Sequence, residues 1–240
     1  MKNLVIAITV VLLLASSAMA QDFEKNAINI VGYQAAQTTT SNVIAPSVGT
    51  VFPTTAGTIE VVSSDAADDT GGTGAITILV TGLDTNWAEV SETITLDGTT
   101  AQVTVNSYIR VNKMVAKTFG SSGVTAGVVK AYLGASIYCS IALGQTESQN
   151  AFYSVPAGKF AVLKSWKFSA ATQPGIFQMK IRPFGGIFSI VDRAIINGNA
   201  FSHSLDFNTV APPKSDIAIF AASSASTAIV AGSFQLQLKQ

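Results

Sequence analysis

At 240 residues the chain balances 14 Lys and Arg against 14 Asp and Glu, and no stretch concentrates basic residues as a phosphate-backbone interface would require. A single Cys excludes an internal disulfide, and a single His leaves nucleophile–base catalysis with few of its parts. With 48% apolar and only 12% charged residues, the chain has material for one large β-domain or two of ordinary size.

The first twenty residues stand apart. Lys2 supplies a positive n-region, Leu4 to Ala15 an apolar h-region, and Ala18-Met19-Ala20 the small-residue pattern of a cleavage site before Gln21. The apolar run is shorter than the ~20 residues of a spanning helix, so export with cleavage is the leading expectation. The alternative is an uncleaved, helical membrane anchor. Removal of the leader would leave 13 basic and 14 acidic residues.

Gln21 to about Pro53 is a Thr-rich, weakly charged lead-in with expected strands at Ala27 to Val31 and Ser41 to Ile44. From Gly57 apolar residues recur at every second position: Ile59 and Val61; Ile76, Ile78 and Val80; Ile94 and Leu96; Val103 and Val105; Ile109 and Val111. This is the period of half-buried strands, and no helical period is sustained after residue 20. Asp97-Gly98 lies between two such runs and predicts a primed hairpin turn. Leu83 to Trp87 joins two others, so the segment reads as an antiparallel meander ending near Leu143.

The polar stretch Gly144 to Asn150 marks the expected boundary between a first domain, 21–143, and a second, 144–240. Val155-Pro156-Ala157-Gly158 has the residues of a type I turn. Phe160, Val162, Trp166 and Phe168 are expected on one strand face, interrupted by Lys164, and Phe177, Met179 and Ile181 on the next. Asn197-Gly198 is a second hairpin signal, and Pro212-Pro213 breaks the chain before Ile217 to Phe220. Phe234, Leu236 and Leu238 alternate with polar residues at the end. The predicted fold is all-β: two antiparallel β-sandwich or jelly-roll-like domains after an N-terminal apolar helix, 1–20, acting as signal peptide or anchor.

Several groups invite a chemical reading. Asp65, Asp68 and Asp69 offer carboxylates for Ca²⁺, but their spacing matches no EF-hand loop, and a solvated acidic loop is expected. Glu89 and Glu92 project to opposite faces of one strand, so they do not form a glycosidase pair with each other. His203 shares a strand face with Leu205 and Phe207 and has no triad motif around it. Cys139 sits in a strand-like run and is expected to be a buried small hydrophobe. Gly71-Gly72-Thr73-Gly74 lacks the Lys and following helix of a phosphate loop and reads as a turn. No catalytic, cofactor-binding or metal-binding residue is assigned.

In order along the chain, Gly57 to Ser64, Gly72 to Ala75, Val80 to Asp84, Ser91 to Thr100, Tyr108-Ile109-Arg110-Val111-Asn112, Tyr153 to Lys159, Arg182-Pro183-Phe184-Gly185-Gly186 and Pro213 to Ile217 resemble a family of bacteriophage virion structural proteins common in aquatic phages. The resemblance covers most of the chain after Gly57. It implies a capsid-associated, decoration, fibre or spike component without catalysis, located in the virion and partnered by copies of itself, by other virion proteins and by a host-surface receptor. A trimer is the expected free form, with Phe184 as a loop contact between subunits and Trp166 and Phe168 in the core. The leader departs from the pattern, since phage head proteins assemble in the cytoplasm. Membrane contact is expected only through residues 1–20 if uncleaved. The alternative is an exported bacterial surface or matrix protein that binds carbohydrate or a receptor through sandwich loops.

Overall fold

The computed structural model describes residues 27–47, 52–171, 173–196, 201–206, 209–224 and 228–240, the span 201–206 as backbone alone. The leader, its helix and Asn197-Gly198 lie outside the described residues. Two strands come first, β1 (Ala27–Gln37) and β2 (Asn42–Val43). They are followed by β3 (Gly57–Ser63), β4 (Ala75–Leu83), β5 (Glu89–Thr95), β6 (Gln102–Tyr108), β7 (Arg110–Phe119), β8 (Val129–Leu133) and β9 (Ser136–Ile141). The rest are β10 (Phe152–Ser154), β11 (Phe160–Ala170), β12 (Gly175–Pro183), β13 (Ser189–Ile196), β14 (Phe201–Asp206), β15 (Val210–Ala211), β16 (Ser215–Ser223) and β17 (Ala228–Lys239). Every pairing between these strands is antiparallel.

The strands form two sandwiches. In the first, the sheet β6-β3-β8-β9 and the sheet β5-β4-β7 bury Ile59, Val61, Ile78, Val80, Met114, Val129 and Ile141 between them. In the second, the sheet β1-β17-β11-β14, with β15 on β11, faces β10-β16-β12-β13, with β2 on β16. Its core holds Trp166, Phe168, Phe177, Met179, Ile217, Ile219, Phe234 and Leu236. Phe168 stacks on Phe177 at 4.9 Å and Trp166 lies 4.5 Å from Phe168, as expected of core aromatics.

Four details depart from the sequence reading. β1 and β2 were expected with the domain 21–143, yet β1 runs beside β17 from Ala27–Gln237 to Gln37–Ala228, and Val43 pairs with Phe220. Alternation fixes which side chains of a strand point inward, not which sheet the strand joins. Gly98 has the expected positive φ, 56°, but β5 pairs with β4 and β6 with β3, so Asp97-Gly98 carries the chain between sheets instead of closing a hairpin. The strands on either side of Asn197-Gly198 likewise lie in different sheets. Finally, β11 changes phase at a bulge between Leu163 and Ser165. Ala161 and Leu163 are buried before it and Trp166 and Phe168 after it, so Phe160 and Val162 lie on the other face.

Candidate functional site

The densest polar constellation among the described residues sits where the two sandwiches meet. Arg110 opens β7 and Asp216 lies at the start of β16, each next to a run of core aliphatics. Both side chains are buried, Arg110 to 2% exposure and Asp216 to 0%. Arg110 grips the carboxylate with two parallel bonds, Nε to Oδ1 at 2.7 Å and Nη2 to Oδ2 at 2.8 Å. Its Nη1 donates to the carbonyl oxygens of Pro53 and Ile109. Asp216 also accepts from Ser154 Oγ at 2.6 Å, and from Arg182 Nη2 at 2.6 Å and Nε at 3.2 Å.

Two guanidiniums around one carboxylate leave an excess positive charge inside the protein, and aromatic faces receive it. Arg110 lies 4.9 Å from the Trp87 ring centroid and 5.5 Å from that of Phe52. Arg182 lies 5.0 Å from Phe52 and 4.7 Å from Phe188. The negative quadrupole of each ring substitutes for part of the lost hydration. Burial pushes the Asp216 carboxyl pKa up, but the Arg110, Ser154 and Arg182 contacts override it and hold the group below the ordinary carboxylate value.

The backbone around this junction is held in unusual shapes. Among the described residues the two non-glycine positions with positive φ are Trp87, at 65°, and Lys214, at 58°. A left-handed Trp is an outlier that persists only when its surroundings fix it. Here Asp84 Oδ1 accepts from Asn86 N and Ala88 N, while Trp87 O accepts from Ala157 N across the junction. Gly82 allows a close approach beneath Arg110, because a Cβ there would stand 2.0 Å from Arg110 O. Asn112 and Ser154 exchange two bonds of 2.9 Å, and the Phe184 ring meets Trp87 edge-on at 5.1 Å. The stretch 144–150 is stitched to β7, where Ala116 N donates to Thr146 O and Ser148 N donates to Met114 O.

The candidates from the sequence fall elsewhere. Asp68 is fully buried and accepts from Ser63 Oγ, Ala75 N, Ala126 N and Gly127 N at 2.5–2.9 Å, which occupies its acceptor positions and makes it a loop organiser. Asp65 and Asp69 bond the backbone N–H two residues ahead. No group of three or more His, Cys, Asp or Glu is arranged for a metal among the described residues. Glu89 pairs with Lys159, whereas Glu92 takes the N–H groups of Val105 and Asn106. His203 lies in β14 at the register position opposite Phe168. Cys139 is fully buried, accepts from Asn150 Nδ2 at 3.2 Å, and has its thiol pushed up to about 12 by burial. Gly71 to Gly74 form turns, as expected. Phe184, expected between subunits, meets Trp87 of its own chain with one side of its ring and stays 41% exposed.

Arg110, Ser154, Arg182 and Asp216 carry no assigned role in the sequence reading, although all four lie in segments that support the virion resemblance. Alternation puts Arg110, between Ile109 and Val111, and Asp216, directly before Ile217, at the phase opposite those aliphatics, so their burial left no signal in the pattern. A charge in such a place is buried only with a partner.

No family model and no curated protein matches this sequence. Among solved structures, the chain is similar to that of the infectious bursal disease virus Gx strain, at 13% identity over 88% of this chain and 70% of that one, with a TM-score of 0.25. The Gt strain structure gives 12% identity over 90% and 68%, with a TM-score of 0.24. The VP2 subviral particle of the same virus gives 12% identity over 90% and 72%, with a TM-score of 0.21. Superpositions this loose do not assign a common architecture.

Proposed function

We propose that this chain is a non-enzymatic structural protein of a bacteriophage virion, a capsid-associated, decoration, fibre or spike component that acts by self-assembly and surface binding. The observation that carries this reading is the Arg110–Asp216–Arg182–Ser154 junction. Its carboxylate is consumed by five bonds from the chain's own side chains, so the most concentrated polar chemistry of the described residues is turned inward to fasten one sandwich to the other. A two-lobed block fixed in this way suits a part that must hold its shape between neighbours. A binding or catalytic cleft would leave some of these groups facing a ligand.

The leader pattern of residues 1–20 favours a second reading, an exported bacterial surface or matrix protein that binds carbohydrate or a receptor through its sandwich loops. Quantitative mass spectrometry of gradient-purified phage particles separates the two. Peptides of this chain at a fixed, multi-copy ratio to the major head protein support the virion role. Peptides confined to the bacterial envelope fraction support the second.

A further inference from the structure

Charge is divided between the two sandwiches. Residues 52–143 carry eight Asp and Glu against four Lys and Arg, whereas residues 144–240 carry eight Lys and Arg against four Asp and Glu. The net-neutral chain is therefore bipolar, with −4 on the first sandwich and +4 on the residues that build most of the second. Exposed apolar side chains are divided in the same way. Among the described residues the two most exposed large aliphatics are Val105, 88%, on β6 and Ile187, 83%, just before β13.

Val105 belongs to a patch on β6, and Ile187 directly precedes a patch on β13, each the terminal strand of its sheet. On β6, Val103 and Val105 are both exposed, Glu60 sits opposite Val103, and the Glu92 carboxylate is bonded to the Val105 and Asn106 N–H groups. On β13, Ile190 and Ile195 are exposed with Arg193 between them, and Lys180 sits opposite Ile190. One patch is aliphatic and acidic, the other aliphatic and basic. On each of these strands the exposed aliphatics share one face with charges of a single sign, an arrangement suited to an interaction site.

We infer that the β13 patch of one copy docks on the β6 patch of the next, a head-to-tail contact between copies of this chain that rests on the self-assembly reading above. Charge selects this pairing. A β13–β13 contact would bring Arg193 and Lys180 toward their own copies, and a β6–β6 contact would do the same with Glu60 and Glu92. The crossed pairing sets opposite signs around the aliphatic centre. Because the two patches differ, the contact is heterologous and yields closed rings, the expected trimer among them, or open filaments.

The test is sedimentation velocity of the purified full chain. Ile190→Ser with Ile195→Ser disables the β13 patch, Val103→Ser with Val105→Ser the β6 patch, and circular dichroism confirms that both double variants remain folded. Wild type is expected to assemble, less so at high salt, and each variant alone to be monomeric. An equimolar mixture should form a dimer that grows no further, of twice the mass of the single chain, because each variant retains the patch the other lacks. A variant that still assembles, a mixture that stays monomeric, or a monomeric wild type overturns the contact. An assembled wild type indifferent to both pairs of substitutions places self-assembly on another surface, and particle composition judges the virion role separately.

Discussion

Asp216→Ala removes the carboxylate that pairs with both arginines and leaves Arg110 buried with no counter-charge among the described residues, and Arg182 between aromatic rings and solvent. Breaking a buried ion pair from one side costs about 3–5 kcal/mol, because the remaining charge stays desolvated. Domains of this size lose roughly 2–4 °C of Tm per kcal/mol, so the variant should melt about 6–20 °C below wild type. Against a typical total stability of about 5–15 kcal/mol, that is a large fraction. Arg110→Met with Asp216→Leu, which removes both partners, should recover much of the loss, since an apolar replacement leaves fewer charges uncompensated. The pH dependence has a definite sign. With the folded carboxyl held below its ordinary value of 3.8, the stabilisation is present above that value and is lost as pH falls through the folded pKa, so wild type should weaken in this acid range and Asp216→Ala should show less of that weakening. Urea unfolding followed by circular dichroism at neutral and acid pH measures both effects. A loss under about 1 kcal/mol for Asp216→Ala would show that the junction is no stronger than a solvent-exposed pair and does not fasten the sandwiches.

Gly98→Val should destabilise by about 1–3 kcal/mol, since it puts a β-branched residue at a φ of 56° with its Cβ 2.9 Å from Ala66 Cα; an unchanged melt would show the turn to be misplaced. Asp68→Ala strands the Ser63 hydroxyl and three backbone N–H groups around the β3–β4 loop, and a loss of at least ~2 kcal/mol is expected by chemical denaturation. Cys139, buried and with its thiol pushed up to about 12, should resist iodoacetamide in the native state at pH 8 and label fully in urea, as read by intact mass. Expression in a bacterium with a working export pathway should yield a product beginning at Gln21; a membrane-bound product retaining Lys2 would support the anchor instead.

The all-β class and most strand positions were legible because alternation is local: Phe177, Met179 and Ile181 point inward in β12 as their spacing requires. Non-local choices were not legible. Nothing in Ala27 to Val31 tells that strand to cross almost the whole chain and join β17, and nothing in Ser91 to Val105 says that β5 and β6 belong to different sheets. The phase break in β11 was hidden for a related reason, since Lys164 interrupts the pattern without showing that a bulge reverses it. The junction was half visible. Arg110, Ser154, Arg182 and Asp216 all lie in segments conspicuous enough to suggest a family, but only the fold brings residues 34 to 106 positions away in sequence onto one carboxylate.

Electron cryo-microscopy of purified particles tests the virion role most directly. The virion role requires density at symmetry-related positions into which both sandwiches fit as a single rigid block, with the Arg110–Asp216 junction closed. Particles that lack such density, together with recovery of the chain from the bacterial envelope, would contradict it.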